Sequence, residues 1–92
     1  MSKIALITGA SSGIGEACAK ILAQHNYDLI LAARRLEKIE TLATELTSSY
    51  GIKTQCLKLD VRQAEEVEVQ LNALADSWRA IDVLVNNAGL SQ

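Results

Sequence analysis

The chain switches repeatedly between two hydrophobic periods, and that alternation limits its fold more than any other feature. Lys3–Thr8 (K-I-A-L-I-T) is apolar at successive positions, as in a strand buried on both faces. From Gly13 the period changes: Ile14, Ala17, Cys18, Ile21 and Leu22 fall at helical spacing, so they are expected to form the buried stripe of an amphipathic helix closed by His25-Asn26. Tyr27–Ala33 is a second apolar run. Leu36–Tyr50 is helical again, with Ile39, Leu42, Ala43 and Leu46 on one face and Gly51 as its stop signal. Ile52–Leu59 alternates and reads as a less buried third strand. Gln63–Trp78 has helical spacing, and Ile81–Val85 is a fourth strand. The order β-α-β-α-β-α-β calls for parallel pairing with right-handed crossovers, in the expected strand order 3-2-1-4.

No proline, repeat or low-complexity linker interrupts this pattern, so the 92 residues read as one continuous α/β unit, 1–92, with no second domain. Apolar residues make up 49% of the chain and charged residues 22%, which excludes a disordered tail. Nine Lys and Arg against eleven Asp and Glu leave a formal charge of −2, too little positive field for a nucleic-acid backbone. Cys18 and Cys56 make no C-x-x-C pair, and His25 is the single histidine, so neither a disulfide framework nor a structural zinc site is expected. They read instead as two small buried thiols of a reducing compartment. No stretch approaches the ~18–20 apolar residues of a membrane span, and Thr8-Gly9 interrupts the apolar run at the N-terminus too early for a signal peptide. A cytoplasmic protein is the expectation. The strands are nonetheless more apolar than so short a chain needs, as if meant to be covered by further elements.

Between the first strand and first helix lies Thr8-Gly9-Ala10-Ser11-Ser12-Gly13-Ile14-Gly15. A helix N-terminus offers unpaired N–H groups and the positive end of a dipole, which suits a phosphate. Glycine lets the backbone turn sharply and lets an anion approach with no Cβ in the way. Gly9 would make the turn, Gly13 would permit close approach, and Gly15 would let the helix pack on the sheet. Ser11 and Ser12 would add hydroxyls, and the start of the helix at Ile14 a further N–H. The same segment literally fits G-x-S-x-G, the strand–turn–helix elbow of serine hydrolases. That reading needs a histidine base, and His25 stands at the far end of the following helix, roughly 15 Å or more from Ser11 at ~1.5 Å per residue.

Arg34 and Arg35 follow the second strand, nineteen residues after Gly15. A carboxylate here would accept from the 2′-hydroxyl of NAD, whereas arginine accommodates the 2′-phosphate of NADP. Leu59-Asp60-Val61 ends the third strand. Asp60 could accept from an adenine amino group beside the Val61 N–H, or cap the next helix. Asn86-Asn87-Ala88-Gly89 ends the fourth strand on the same edge. There Ala88 and Gly89 would leave bare backbone for a cofactor, and Asn87 would bridge neighbouring strands while facing a ribose.

Together T-G-A-S-S-G-I-G, L-D-V and N-N-A-G, in this order and spacing, resemble the short-chain dehydrogenase/reductase family, and the likeness covers the whole chain. It implies a Rossmann-like, doubly wound parallel sheet, of which this chain would be the N-terminal part. It also implies an oxidoreductase that moves hydride between NADP and a hydroxyl or carbonyl substrate, with NAD the lesser partner. The Arg pair resembles NADP-preferring members. Ser12 stands where another NADP-preferring group carries a basic residue, which puts selectivity on Arg34 and Arg35. A-R-R-L-E-K-I and N-N-A-G-L further resemble a branch acting on 3-hydroxy acids such as serine. The departure is in the chemistry. The family's Tyr-x-x-x-Lys pair is absent, since Leu31 and Thr54 stand four residues after Tyr27 and Tyr50. No catalytic residue is therefore assigned, and this segment by itself is expected to bind at most the adenosine-phosphate half of NADP and to catalyse nothing. A small-molecule substrate and a homo-oligomer are expectations for a longer protein only. The other readings are a non-catalytic NADP-binding or redox-sensing module, and a truncated product that does not fold independently.

Overall fold

The computed structural model describes residues 3–60, 64–78 and 80–87. Strand β1 (Ile4–Thr8) leads into helix α1 (Gly13–Gln24), then β2 (Asp28–Ala33), α2 (Leu36–Tyr50), β3 (Thr54–Lys58), α3 (Ala64–Asn72), a 3-10 turn at Asp76–Trp78 and β4 (Val83–Asn86). The four strands are parallel in the order β3-β2-β1-β4, as the alternation requires. The pattern has one physical cause. Two right-handed crossovers carry the chain outward from β1 to β3, and the third brings it back past β1, so α3 lies on the sheet face opposite α1 and α2.

Each central strand feeds two cores. Ala5 and Ile7 of β1, with Leu29, Leu31 and Ala33 of β2, pack under α1 and α2. Ile4, Leu6, Ile30 and Ala32 point the other way and meet Leu57, Leu59 and Leu74, with Trp78 and Ile81 at the margin. The helix ends are set locally. The Ser12 side chain caps α1, and Gly51, in the left-handed region at φ 68°, ends α2 with its N–H on Thr47 O.

Two strands, β3 and β4, begin two residues later than their apolar runs do. Asp82 donates its N–H to Ile4 O (2.8 Å) and accepts the Ile4 N–H on Oδ2 (2.9 Å), so a carboxylate replaces the first rung between β1 and β4. Asp28 Oδ1 takes the Lys53 N–H (2.9 Å) in the same way where β2 meets β3. The third helix is also shorter than Gln63–Trp78. After Asn72 the bonding tightens to i→i+3 (Leu74 N–H to Leu71 O, Trp78 N–H to Ala75 O), and this turn brings Leu74 and Trp78 onto the second core.

The largest correction concerns α1. Its sheet-facing residues are Gly15, Ala19 and Ala23, while Ile14 and Ile21 are 62% and 56% exposed and Ala17 is exposed. The apolar stripe expected at the core is thus mostly outside it. The helix is apolar on two adjacent faces, and the face with small side chains wins the sheet because it allows the closer approach. Both cysteines are half-buried rather than buried: Cys18 lies on the same open flank, and Cys56 on edge strand β3. Burial first, and then the charge of Glu40, push the Cys56 thiol's pKa up, which keeps it protonated.

Candidate cofactor site

All four parallel strands end on one edge, and the sequence-predicted site residues follow those ends. Gly9–Gly15 follows β1, Arg34 and Arg35 follow β2, Asp60 follows β3, and Asn87 follows β4. Strand order reverses between β1 and β4, and in open α/β sheets the ligand crevice lies outside the carboxyl ends at that reversal. Val61, Ala88 and Gly89 lie outside the described residues. So do residues 61–63, which immediately precede α3 and would decide whether Asp60 caps that helix.

The turn after β1 is held from within. Gly9 has φ 64°, a left-handed conformation that glycine adopts without strain. The Ser12 hydroxyl donates to Gly9 O (3.0 Å) and accepts from the Gly15 N–H (3.2 Å) and from Asn87 Nδ2 (2.6 Å). Asn87 Nδ2 also donates to Gly9 O (3.0 Å), and Asn87 is 2% exposed. One amide from the end of β4 therefore ties the turn on β1 to its neighbour strand, across the point where the order reverses. The single proton of Ser12 is spent inside the turn, so the hydroxyl turned outward is that of exposed Ser11. Below, Thr8 Oγ1 donates to Asn86 Oδ1 (3.0 Å).

This arrangement separates the glycines. A Cβ on Gly15 would collide with the Gly9 carbonyl and the Ala10 Cα, whereas a Cβ on Gly13 would meet no atom of the described residues within 4 Å. Gly15 is needed by the fold. Nothing among the described residues needs Gly13, and an approaching ligand is what its missing side chain would admit. The first N–H groups of a helix have no intrahelical acceptor. The cap takes that of Gly15, which leaves those of Gly13 and Ile14 at exposed positions.

Asn87 is expected to matter to stability as well. Asn87→Ala removes two buried hydrogen bonds and is expected to cost about 1–3 kcal/mol in urea unfolding. Asn87→Asp is expected to cost more at pH 7, because it places a carboxylate against the Gly9 carbonyl. Equal midpoints for the two variants would refute the assigned donor role of Nδ2. The Oδ1 atom of Asn87 is buried without a hydrogen-bond donor among the described residues, an acceptor left over beside the turn.

An open cleft of about 430 Å³ runs between the turn and α2, lined by Ala10, Ser11, Glu16, Glu37, Lys38, Thr41 and Leu42. Spacing arguments miss Lys38 and Thr41, although A-R-R-L-E-K places a third cation one helical turn after the Arg pair. Glu16 sits in this cleft with Lys20 at 3.2 Å, and their hydrogen bond and charge attraction, helped by Glu45, raise the pKa of the Lys20 ammonium. Arg34 and Arg35 are exposed, with no ion pair among the described residues, and Arg35 stands at the N-cap of α2 with no side-chain cap bond. The hydrolase reading fails on geometry: Ser11 and His25 flank a 12-residue helix, about 18 Å long at 1.5 Å per residue. Among the described residues no His/Cys/Asp/Glu group could hold a metal, and no helix is long and apolar enough to cross a membrane.

Known proteins are similar to this chain over nearly all of its length. The NADP-dependent 3-hydroxy acid dehydrogenase of Schizosaccharomyces pombe is 46% identical over 90 residues, covering 97% of this chain and 35% of its own. Sulfoacetaldehyde reductase 2 of Chromohalobacter salexigens is 43% identical over 91 residues, covering 99% of this chain and 35% of its own. Among solved structures, an alcohol dehydrogenase from Thermococcus sibiricus complexed with 5-hydroxy-NADP superposes with a TM-score of 0.85 at 40% identity, over 91% of this chain and 36% of the other. The chain thus spans about a third of the length of these relatives. The family model for short chain dehydrogenases matches residues 3–92, taking in the glycine turn, the Arg pair and the N-N-A-G end together, and the chain belongs to that family.

Proposed function

We propose that residues 1–92 form the NADP-binding part of a short-chain oxidoreductase. The observation that carries this reading is the contrast between the two glycines of the turn: Gly15 is packed against its own backbone, while Gly13 opens onto free space at an exposed helix start. That is a cradle for a phosphate, with the N–H groups of Gly13 and Ile14 as donors and the Ser11 hydroxyl beside them. Gly9, Ser12 and Asn87 hold the cradle's shape. Arg34 and Arg35 take the 2′-phosphate through charge-assisted bonds, and Lys38 supports them from the cleft. Asp60, Val61, Ala88 and Gly89 complete the adenosine side. The orphan Oδ1 of Asn87 is an acceptor available to a donor of the ligand.

When bound, the nicotinamide of NADP accepts or donates hydride. This segment's share of the reaction is binding and orientation only. The phenol that would exchange a proton with substrate is not supplied by Tyr27 or Tyr50, since neither precedes a lysine by four residues. The two relatives of near-equal identity act, by their names, on different substrates, a 3-hydroxy acid and sulfoacetaldehyde. The 3-hydroxy acid reading of A-R-R-L-E-K-I is kept as the first substrate class to assay.

The test is a titration of the 92-residue chain with 2′,5′-ADP and with 5′-AMP, followed by heat of binding. The expected result is that 2′,5′-ADP binds and is displaced by NADPH, with 5′-AMP much weaker. Equal affinity for the two nucleotides overturns the NADP assignment. Steady oxidation of a 3-hydroxy acid by this chain overturns the assignment of binding without catalysis.

A further inference from the structure

The charge of the cleft beside the glycine turn runs against the phosphates assigned there. Among the described residues three charged side chains line it, and two are carboxylates, Glu16 and Glu37, against the single ammonium of Lys38. Glu37 stands in the first turn of α2, where a carboxylate suits that helix's positive end. Glu16 stands in the first turn of α1, the helix end to which a phosphate is itself assigned. Helix side chains lean back toward the N-terminus, so a free carboxylate at this position has the same electrostatic partner as the ligand. Glu16 differs from Glu37 in being restrained. Lys20 Nζ, one turn further on, holds Glu16 Oε1 at 3.2 Å, whereas Glu37 makes no ion pair among the described residues. Lys20 does not line the cleft. It stands on the side of α1 that turns to α2, where Gln24 Nε2 donates to the Tyr50 hydroxyl (3.3 Å).

We propose that Lys20 is a positioning residue for nucleotide binding: it draws the Glu16 carboxylate along α1, away from the N–H groups of Gly13 and Ile14, so that an incoming phosphate meets half of an ion pair and not a free negative charge. Lys20 and the Arg pair thus act on affinity by different routes. Arg34 and Arg35 attract the 2′-phosphate, whereas Lys20 removes a repulsion from the helix end. Stability gives the pair little to do. An exposed i,i+4 ion pair is worth a few tenths of a kcal/mol at most, and both side chains are a little under half exposed. This inference rests on the phosphate cradle proposed above.

The test is a double-mutant cycle on the 92-residue chain, read by heat of binding of 2′,5′-ADP at low ionic strength. Lys20→Met is expected to weaken binding about threefold to fivefold, the scale for one freed carboxylate within a Debye length of a doubly charged phosphate. In a Glu16→Gln background the same substitution is expected to have no effect, because no carboxylate is left to restrain. Lys20→Arg keeps the i,i+4 pair and is expected to bind as the parent does. At about 0.5 M salt the difference between Lys20→Met and the parent is expected to vanish. An equal loss in both backgrounds means that Lys20 acts by its own charge, and overturns the proposal. So does a Lys20→Met chain that binds as tightly as the parent. Equal binding of 2′,5′-ADP and 5′-AMP by the parent overturns the NADP reading alone, and the cycle is then read with 5′-AMP, which still carries a phosphate for the helix end. A parent that binds neither nucleotide overturns both.

Discussion

Replacing Arg34 and Arg35 together with alanine is expected to lower the affinity for NADPH by about 10²–10⁴ and to leave that for NADH unchanged. The magnitude comes from two charge-assisted hydrogen bonds at about 1.5–3 kcal/mol each, with each 1.4 kcal/mol worth a factor of ten. The selectivity comes from position. Both residues follow the carboxyl end of β2, the strand beside β1, and no carboxylate stands at that turn to receive a 2′-hydroxyl instead. Both are exposed and without an ion pair among the described residues, so the double variant should fold as the parent does. Isothermal titration with the two cofactors decides the matter, and equal losses would refute the 2′-phosphate assignment. The same titration on Lys38→Ala is expected to show a smaller loss in the same direction, because Lys38 reaches the cleft from inside α2.

The second large effect has opposite signs at two glycines two residues apart. Gly15→Ala drives a methyl into the Gly9 carbonyl and the Ala10 Cα, neither of which can move without breaking the Ser12 and Asn87 bonds. The expected cost is about 3 kcal/mol or more, beyond ordinary overpacking because backbone must shift. Gly13→Ala meets nothing among the described residues. Since Gly13 is the first residue of α1, alanine there is expected to stabilise the fold by about 0.4–1 kcal/mol through the unfolded state. In the proposed cradle the same methyl would stand in the path of the phosphate, so 2′,5′-ADP binding is expected to fall at least tenfold, about 1.4 kcal/mol. Urea unfolding and nucleotide titration on the two variants separate the roles. A Gly13→Ala chain that binds as the parent does would remove the main support for the phosphate cradle.

Much of the fold is legible in the order of residues alone. The alternation of periods carries strand order with it, because parallel pairing and right-handed crossovers leave few ways to arrange β-α-β-α-β-α-β. The turn residues are legible as a group, since glycines between a buried strand and a helix have a definite use. Their division of labour is not. Gly13 and Gly15 look alike in sequence, and only the approach of Gly9, Ala10 and Asn87 distinguishes them. Ser12 reads as a ligand donor, but its hydroxyl is consumed by partners up to 75 residues away. The buried face of α1 escapes periodicity, which counts large apolar residues, whereas a helix pressed onto a sheet selects small ones.

What the amino-acid sequence determined by itself was the order of elements, the parallel sheet and the edge on which the candidate site residues lie, since these follow from local periodicity and from the handedness of L-residues. What only the tertiary structure decided was which atoms of that edge are already engaged and which face of α1 is left open. Those are matters of close packing between segments far apart in the chain, where a single Cβ or one amide from β4 decides the outcome.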